Sequence, residues 1–443
     1  MRESPYPLEQ SLGISWYATI EDGIGGRLRT EPEDFVVEEI PAGPWKETGK
    51  YLVVRLTKRN WEQQRLVKEL ARALGISHRR ISWAGTKDRR AVTSQYISIQ
   101  GIEPTDLDRV RLPDIRLEPA GRSDRAIALG ELAGNRFRIR IRDCDPADLA
   151  ARVAGIADAA SSGVQPAGSP DALSPGTGNL NQGLPNYVGI QRFGVIRPVT
   201  HIVGEMILRG DLEGAVLTYT GAAFPAESPE VREARSVFLA DRDVKEAIRR
   251  FPVRLTFERA MLHHLDRQPG DYAGALQALP PRLLSMFVSA FQSFLFNTLL
   301  SRRCGQGIPL GEPAPGDRLM FPDGREDWVT RENLPAAALQ VRRNRAFIGI
   351  RVPGSESVAG PEREGDPARS LLDGLGIAPA DFAAASRVVS AAYEGVTRPV
   401  ALRTDIAASV EGTDVILGFT LGPGQYATTV CREFMKADPM QMI

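Results

Sequence analysis

The stretch GNRFRIRIRD, residues 134–143, limits the possible folds more than any other part of the chain. Arg136, Arg138, Arg140 and Arg142 alternate with Phe137, Ile139 and Ile141. Successive side chains of a strand point to opposite faces, so four arginines share one face, with Asn135, Phe137, Ile139 and Ile141 on the other. An antiparallel sheet with one solvated face accommodates this pattern. From the residues alone the arginine face has two readings, a stripe that contacts phosphates or a solvated outer surface.

Neighbouring segments extend the sheet. GRLRTEPEDFVVEEI (26–40) reads as strand, Pro turn and strand, and KYLVVRLTK as a further strand. NWEQQRLVKELARALG is an amphipathic helix, with Trp61, Leu66, Val67, Leu70 and Leu74 on one face and Gly75 as its stop. Asn60, with Gln63 three residues on, has capping-box spacing. ISWAG and AVTSQYISI read as strands on either side of a loop that carries Asp88. The segment 159–183 is rich in Gly, Ser and Pro and reads as a long loop, as does 352–367. Helices are expected around 201–219 and 283–301, hairpin material at 315–330, and strand, Gly-Pro-Gly turn and helix at the close of the chain.

The length of 443 residues allows two or three domains. A net charge of zero rules out binding a polyanion through bulk charge. Charge is uneven along the chain, however: residues 51–100 hold 11 Lys and Arg against 3 Asp and Glu, and residues 1–50 hold 5 against 10. Such asymmetry marks either a nucleic-acid surface or a solvated basic face. Cys144, Cys304 and Cys431 lie far apart, form no CxxC pair and suit a reducing cytoplasm. The N-terminus lacks an apolar signal core, and no uninterrupted apolar run approaches ~18 residues. A soluble, cytoplasmic protein with no membrane partner is expected. His263 and His264 lack ligand partners at metal spacing.

Four segments, RTEPEDFVVEEI (29–40), WAGTKDRRAVTSQ (83–95), LAGNRF (132–137) and NYVGIQRFG (186–194), resemble in order and spacing the TruD family of tRNA pseudouridine synthases. The closing LGPGQYATTVCREF (421–434) is similar to that family's last segment, and the longer middle region and the length resemble its archaeal and eukaryotic-type members more than the shorter bacterial ones. The resemblance implies an α+β fold, in which a mixed α/β catalytic domain with an antiparallel sheet core is interrupted by an inserted α/β domain. Carried onto this chain, residues 1–183 and 396–443 form the first and 184–395 the second. It further implies isomerisation of a tRNA uridine, usually uridine 13 of the D arm, with no metal or organic cofactor. The expected partner is tRNA, and the expected state is a monomer.

By the same resemblance Asp88 is the catalytic carboxylate; the residues leave open whether it attacks C1′ or removes a proton. Arg29 stands where bacterial members carry a lysine and is expected to pair with Asp88 or a phosphate. Phe137 matches an aromatic that stacks on the target uracil, and Asn135 an active-site amide. Read without the family, Asp88 is a turn residue, Phe137 a core residue and Asn135 a turn former. Lys87 is grouped with the substrate-binding residues. Arg79, Arg80, Arg89, Arg90 and Arg192 are candidates for contact with RNA. Two rival readings share these features: a tRNA-binding or tRNA-folding protein that needs no catalysis, and a base-excising glycosidase.

Overall fold

The computed structural model describes residues 1–161, 183–355 and 366–442, so most of the loops expected at 159–183 and 352–367 lies outside the described residues. The chain is α+β and divides into two units, residues 18–184 with 402–443 and residues 1–17 with 185–401.

The first unit is built on one nine-stranded sheet. Its strands are β1 (Gly25–Arg27), β2 (Phe35–Pro41), β3 (Tyr51–Arg59), β4 (Ile81–Trp83), β5 (Val92–Gln100), β6 (Ile115–Ser123), β7 (Leu132–Cys144), β8 (Ala407–Glu411) and β9 (Asp414–Leu421). The order is β8-β9-β7-β2-β5-β3-β6, with β1 added to β7 and β4 to β5. Every pairing is antiparallel except that of β2 with β5. Register places Phe137 opposite Val37 on one side and Phe419 on the other, and Asn135 opposite Glu39 and Leu421.

Three helices cover one face. α1 (Gln63–Leu74) lays Leu66, Val67 and Leu70 on Leu52, Val54, Leu56, Ile97 and Ile99. α2 (Leu149–Ala160) and α3 (Ala427–Met435) cover Phe35, Phe137, Ile139, Ile141 and Leu417. Each fully buried Leu, Ile or Val is worth about 1.5–3 kcal/mol in removed apolar surface. α1 starts two residues later than Asn60 implies. The cap is Glu62, whose carboxylate accepts from the backbone N–H of Gln64 and Arg65 at 2.8 and 2.7 Å. Asn60 instead takes a left-handed φ of 54° and donates its N–H to Ala91, reversing the chain between β3 and α1. Gly75 closes the helix in the left-handed conformation, φ 68°.

The arginine face of β7 is partly neutralised. Arg140 pairs with Glu411 and Asp414 at 2.7 and 2.8 Å, Arg142 with Asp34 at 2.7 Å, and Arg136 with Glu38 at 3.5 Å. Arg138 is exposed and pairs with no carboxylate among the described residues.

The second unit is mainly helical, with a four-stranded antiparallel sheet that includes the expected hairpin, Arg318–Met320 with Glu326–Trp328. Helices Thr200–Leu208 and Leu212–Gly221 stand where one segment was expected. Pro281–Gly305 is long and apolar enough by composition to cross a membrane; here Leu284, Phe287, Val288, Phe291, Phe296 and Leu300 are buried in the core of this unit. Residues 1–17, assigned by sequence to the sheet unit, pack with this one. Asn297 donates to the carbonyls of Leu12 and Val188, and Ser301 donates to that of Gly13 while accepting from the N–H of Ser15.

Candidate active site

Asp88 lies on the loop 84–91 between β4 and β5. Four contacts hold that loop. Lys58 Nζ donates to the Asp88 carbonyl at 2.9 Å and to the Trp61 carbonyl at 2.8 Å. Lys87 Nζ pairs with Glu39 Oε2 at 2.6 Å, and Glu39 Oε1 accepts from the Tyr96 N–H at 3.1 Å. Arg90 donates to the Thr30 carbonyl at 2.8 Å. Gly130 donates its N–H to the Ala84 carbonyl at 2.7 Å.

Arg29 supplies the charge partner. Its Nη2 is 3.2 Å from Asp88 Oδ2, and its guanidinium lies 4.3 Å above the centre of the Phe35 ring. Arg29 is a non-glycine residue at φ 55°, a conformation that costs on the order of 1 kcal/mol and is retained where surrounding contacts demand it. The Arg29 side chain is 12% exposed and that of Asp88 49%. The cation is therefore fixed within the fold while the carboxylate stays accessible.

Asp88, Lys87, Asn135 and Phe137 line one cavity of about 340 Å³, together with Leu129 and Gly424. That is within the usual range for a small-molecule site. Phe137 is 9% exposed, stacks on Phe419 with centroids 5.4 Å apart and meets Phe35 nearly at right angles at 6.2 Å. One ring face is thus already covered by Phe419. Asn135 Oδ1 is buried and has no hydrogen-bond partner among the described residues. It bonds neither Asp88 nor any other side chain, and remains open to a donor such as a uracil N–H or a sugar hydroxyl.

Lys87, grouped by sequence with the substrate-binding residues, lines the cavity while its ammonium pairs with Glu39 in a buried ion pair. The reason is alternation: Glu39 follows Phe35 and Val37 on the covered face of β2, where a carboxylate cannot stand without a cation. Lys58 was missed altogether. Leu52, Val54, Leu56 and Lys58 form one buried row on β3, and a lysine that continues an apolar row is the signal that would have found it. Burial pushes Lys58 down to about 8, against the pull of Asp88 and Glu62.

The expected RNA contacts separate into groups. Arg79 and Arg89 are exposed. Arg80 donates to the carbonyls of Gln100 and Gly101, closing the end of β5, and Arg90 is held by Thr30. Arg192 belongs to the helical unit, where it donates to Ser289 at 2.8 Å. In the same unit residues 186–190 and Phe193 of the NYVGIQRFG segment are buried, while Gln191 is exposed; Tyr187 bonds Ser301 at 2.8 Å and Val188 donates to Asn297. His264 is bonded to Asp271 at 2.8 Å. Among the described residues no group of three or more His, Cys, Asp or Glu could hold a metal ion.

The family model described as tRNA pseudouridine synthase D (TruD) matches residues 11–434. A "Probable tRNA pseudouridine synthase D" of Methanococcoides burtonii is 38% identical over 453 residues, 98% of this chain and 98% of that protein. A protein of the same description from Halobacterium salinarum is 38% identical over 463 residues, covering 100% of both chains. The crystal structure of the "Putative tRNA pseudouridine synthase D (TruD)" of Methanosarcina mazei superposes with a TM-score of 0.79 at 36% identity, over 99% of this chain and 100% of that one.

Proposed function

The chain belongs to the tRNA pseudouridine synthase D (TruD) family, and from that premise we propose that it isomerises uridine 13 of tRNA to pseudouridine with Asp88 as the reacting carboxylate. The observation that carries this reading is the position of Asp88: half-exposed, paired with Arg29 and facing a cavity it shares with Asn135 and Phe137.

The reaction breaks the N1–C1′ bond, turns the uracil and joins C5 to C1′. The C5 proton is lost and N1 gains one. No atom leaves overall and no electron is exchanged, so the chemistry asks for a carboxylate and a closed pocket. Asp88 in its ionised form can attack C1′ or withdraw a sugar proton, and glycosyl chemistry uses carboxylates in this way. Arg29 Nη2, 3.2 Å from Asp88 Oδ2, holds the carboxylate in place at the cavity. The uridine reaches the cavity only by leaving its stack. Asn135 Oδ1 is the free acceptor for the base, and Phe137 backs the pocket. With the N1–C1′ bond broken and the C5–C1′ bond made in the same cavity, the detached uracil is retained and rejoined.

Asp88→Asn should abolish pseudouridine formation in the target tRNA while leaving fold and tRNA affinity within about threefold of wild type. Retained conversion in that variant removes Asp88 from the mechanism, and released uracil from the wild type would mark a glycosidase instead.

A further inference from the structure

We propose that Leu129 is the wedge that enters the RNA stack as the target nucleotide leaves it. The proposal rests on the reading of the Asp88 cavity as the uridine pocket.

Leu129 is 79% exposed and lines that cavity. Isolated exposed leucines are ordinary on protein surfaces. This one differs in where it stands and how it is held. It sits in the connection from β6 to β7, two residues after Ile127, which is buried at 5% exposure and donates its N–H to Ser98 Oγ at 2.9 Å. On the other side Gly130, at φ 84°, donates its N–H to the Ala84 carbonyl at 2.7 Å, at the start of the Asp88 loop. Glu131 accepts from the Ala128 N–H at 2.9 Å and from Arg125 at 2.7 Å. The tip is therefore tied to the Asp88 loop and to β5. It presents one apolar side chain at the rim of the pocket, left largely uncovered by the described residues.

A base that leaves its stack opens a gap between its neighbours. Apolar wedges such as Leu, Phe or Met fill such gaps in nucleic-acid complexes, because an isobutyl group excludes water from the exposed base faces without asking for a particular sequence. Leu129 is placed to do this while Asp88, on the loop to which Gly130 is tied, meets the extruded sugar.

The test uses the full-length protein under single turnover on two tRNAs. One is intact, and the other carries an abasic residue across from the target uridine, which leaves the target unpaired. Leu129→Ala should slow conversion of the intact tRNA by about tenfold or more, change tRNA affinity by less than about threefold, and convert the abasic tRNA within about twofold of wild type. Leu129→Met, which restores an apolar wedge, should recover most of the rate on intact tRNA. Equal slowing on both substrates, or no slowing on either, overturns the wedge. Asp88→Asn must lose conversion of both tRNAs. Should it convert either, the pocket reading fails and takes the wedge with it, an outcome distinct from failure of Leu129 alone.

Discussion

Lys58 holds Asp88 by its main chain, with the buried ammonium donating to the Asp88 carbonyl at 2.9 Å and to the Trp61 carbonyl at 2.8 Å. One cation thereby ties the reactive loop to the chain entering α1. The Asp88 side chain is left to Arg29 and the cavity. The main chain and the side chain of Asp88 are thus held by different cations.

That division has a pH signature. Burial lowers Lys58 to about 8 in the folded protein, below its ordinary 10.5. Between these values the unfolded chain binds the extra proton, so this group makes folding more favourable as pH rises through the window. The stability of wild type relative to Lys58→Met should therefore increase from pH 8 to about 10.5. Urea midpoints at intervals across that range measure it, and a difference that does not move with pH refutes it.

Glu39 and Lys87 form a pair whose side chains are 2% and 7% exposed. Removing one partner strands a buried charge. Glu39→Gln or Lys87→Met alone should cost about 3–5 kcal/mol in unfolding free energy, and the double variant less than the sum. A double-mutant cycle in urea settles it, and additive losses would show that the pair is not coupled.

Arg29 combines charge with a planar fork stacked on Phe35. Arg29→Lys keeps only the charge and should lower turnover by roughly tenfold, whereas Arg29→Ala should lower it by roughly a hundredfold. Single-turnover rates decide, and equal rates for the two variants would mean the charge is irrelevant.

Arg79 and Arg80 are adjacent in sequence but differently employed. Arg79 is exposed, and Arg80 is bonded to the Gln100 and Gly101 carbonyls. Arg79→Ala should weaken tRNA binding and reduce the slope of log affinity against log salt by about 1. Arg80→Ala should leave that slope in place and lower stability by about 1–3 kcal/mol, because two carbonyls lose a charged donor. The reverse pattern would exchange their roles.

Local pattern was sufficient for much of this molecule. Alternation in residues 134–143 determined a strand with Asn135 and Phe137 on the same face, because the pleat allows no other arrangement. Periodicity and Gly75 determined α1, and the motifs around Asp88 and Phe137 identified residues that share one cavity. Apart from Arg29 with Asp88, the partners of charged groups were not legible. Lys87, next to Asp88 in sequence, turns to Glu39, while Lys58 arrives from thirty residues upstream. Likewise Arg140 and Arg142 are claimed by Glu411, Asp414 and Asp34. Neighbours in an extended chain point apart, so the nearest charge in sequence is seldom the nearest in space. Strand register and burial select the partner, and both exist only once the sheet has formed.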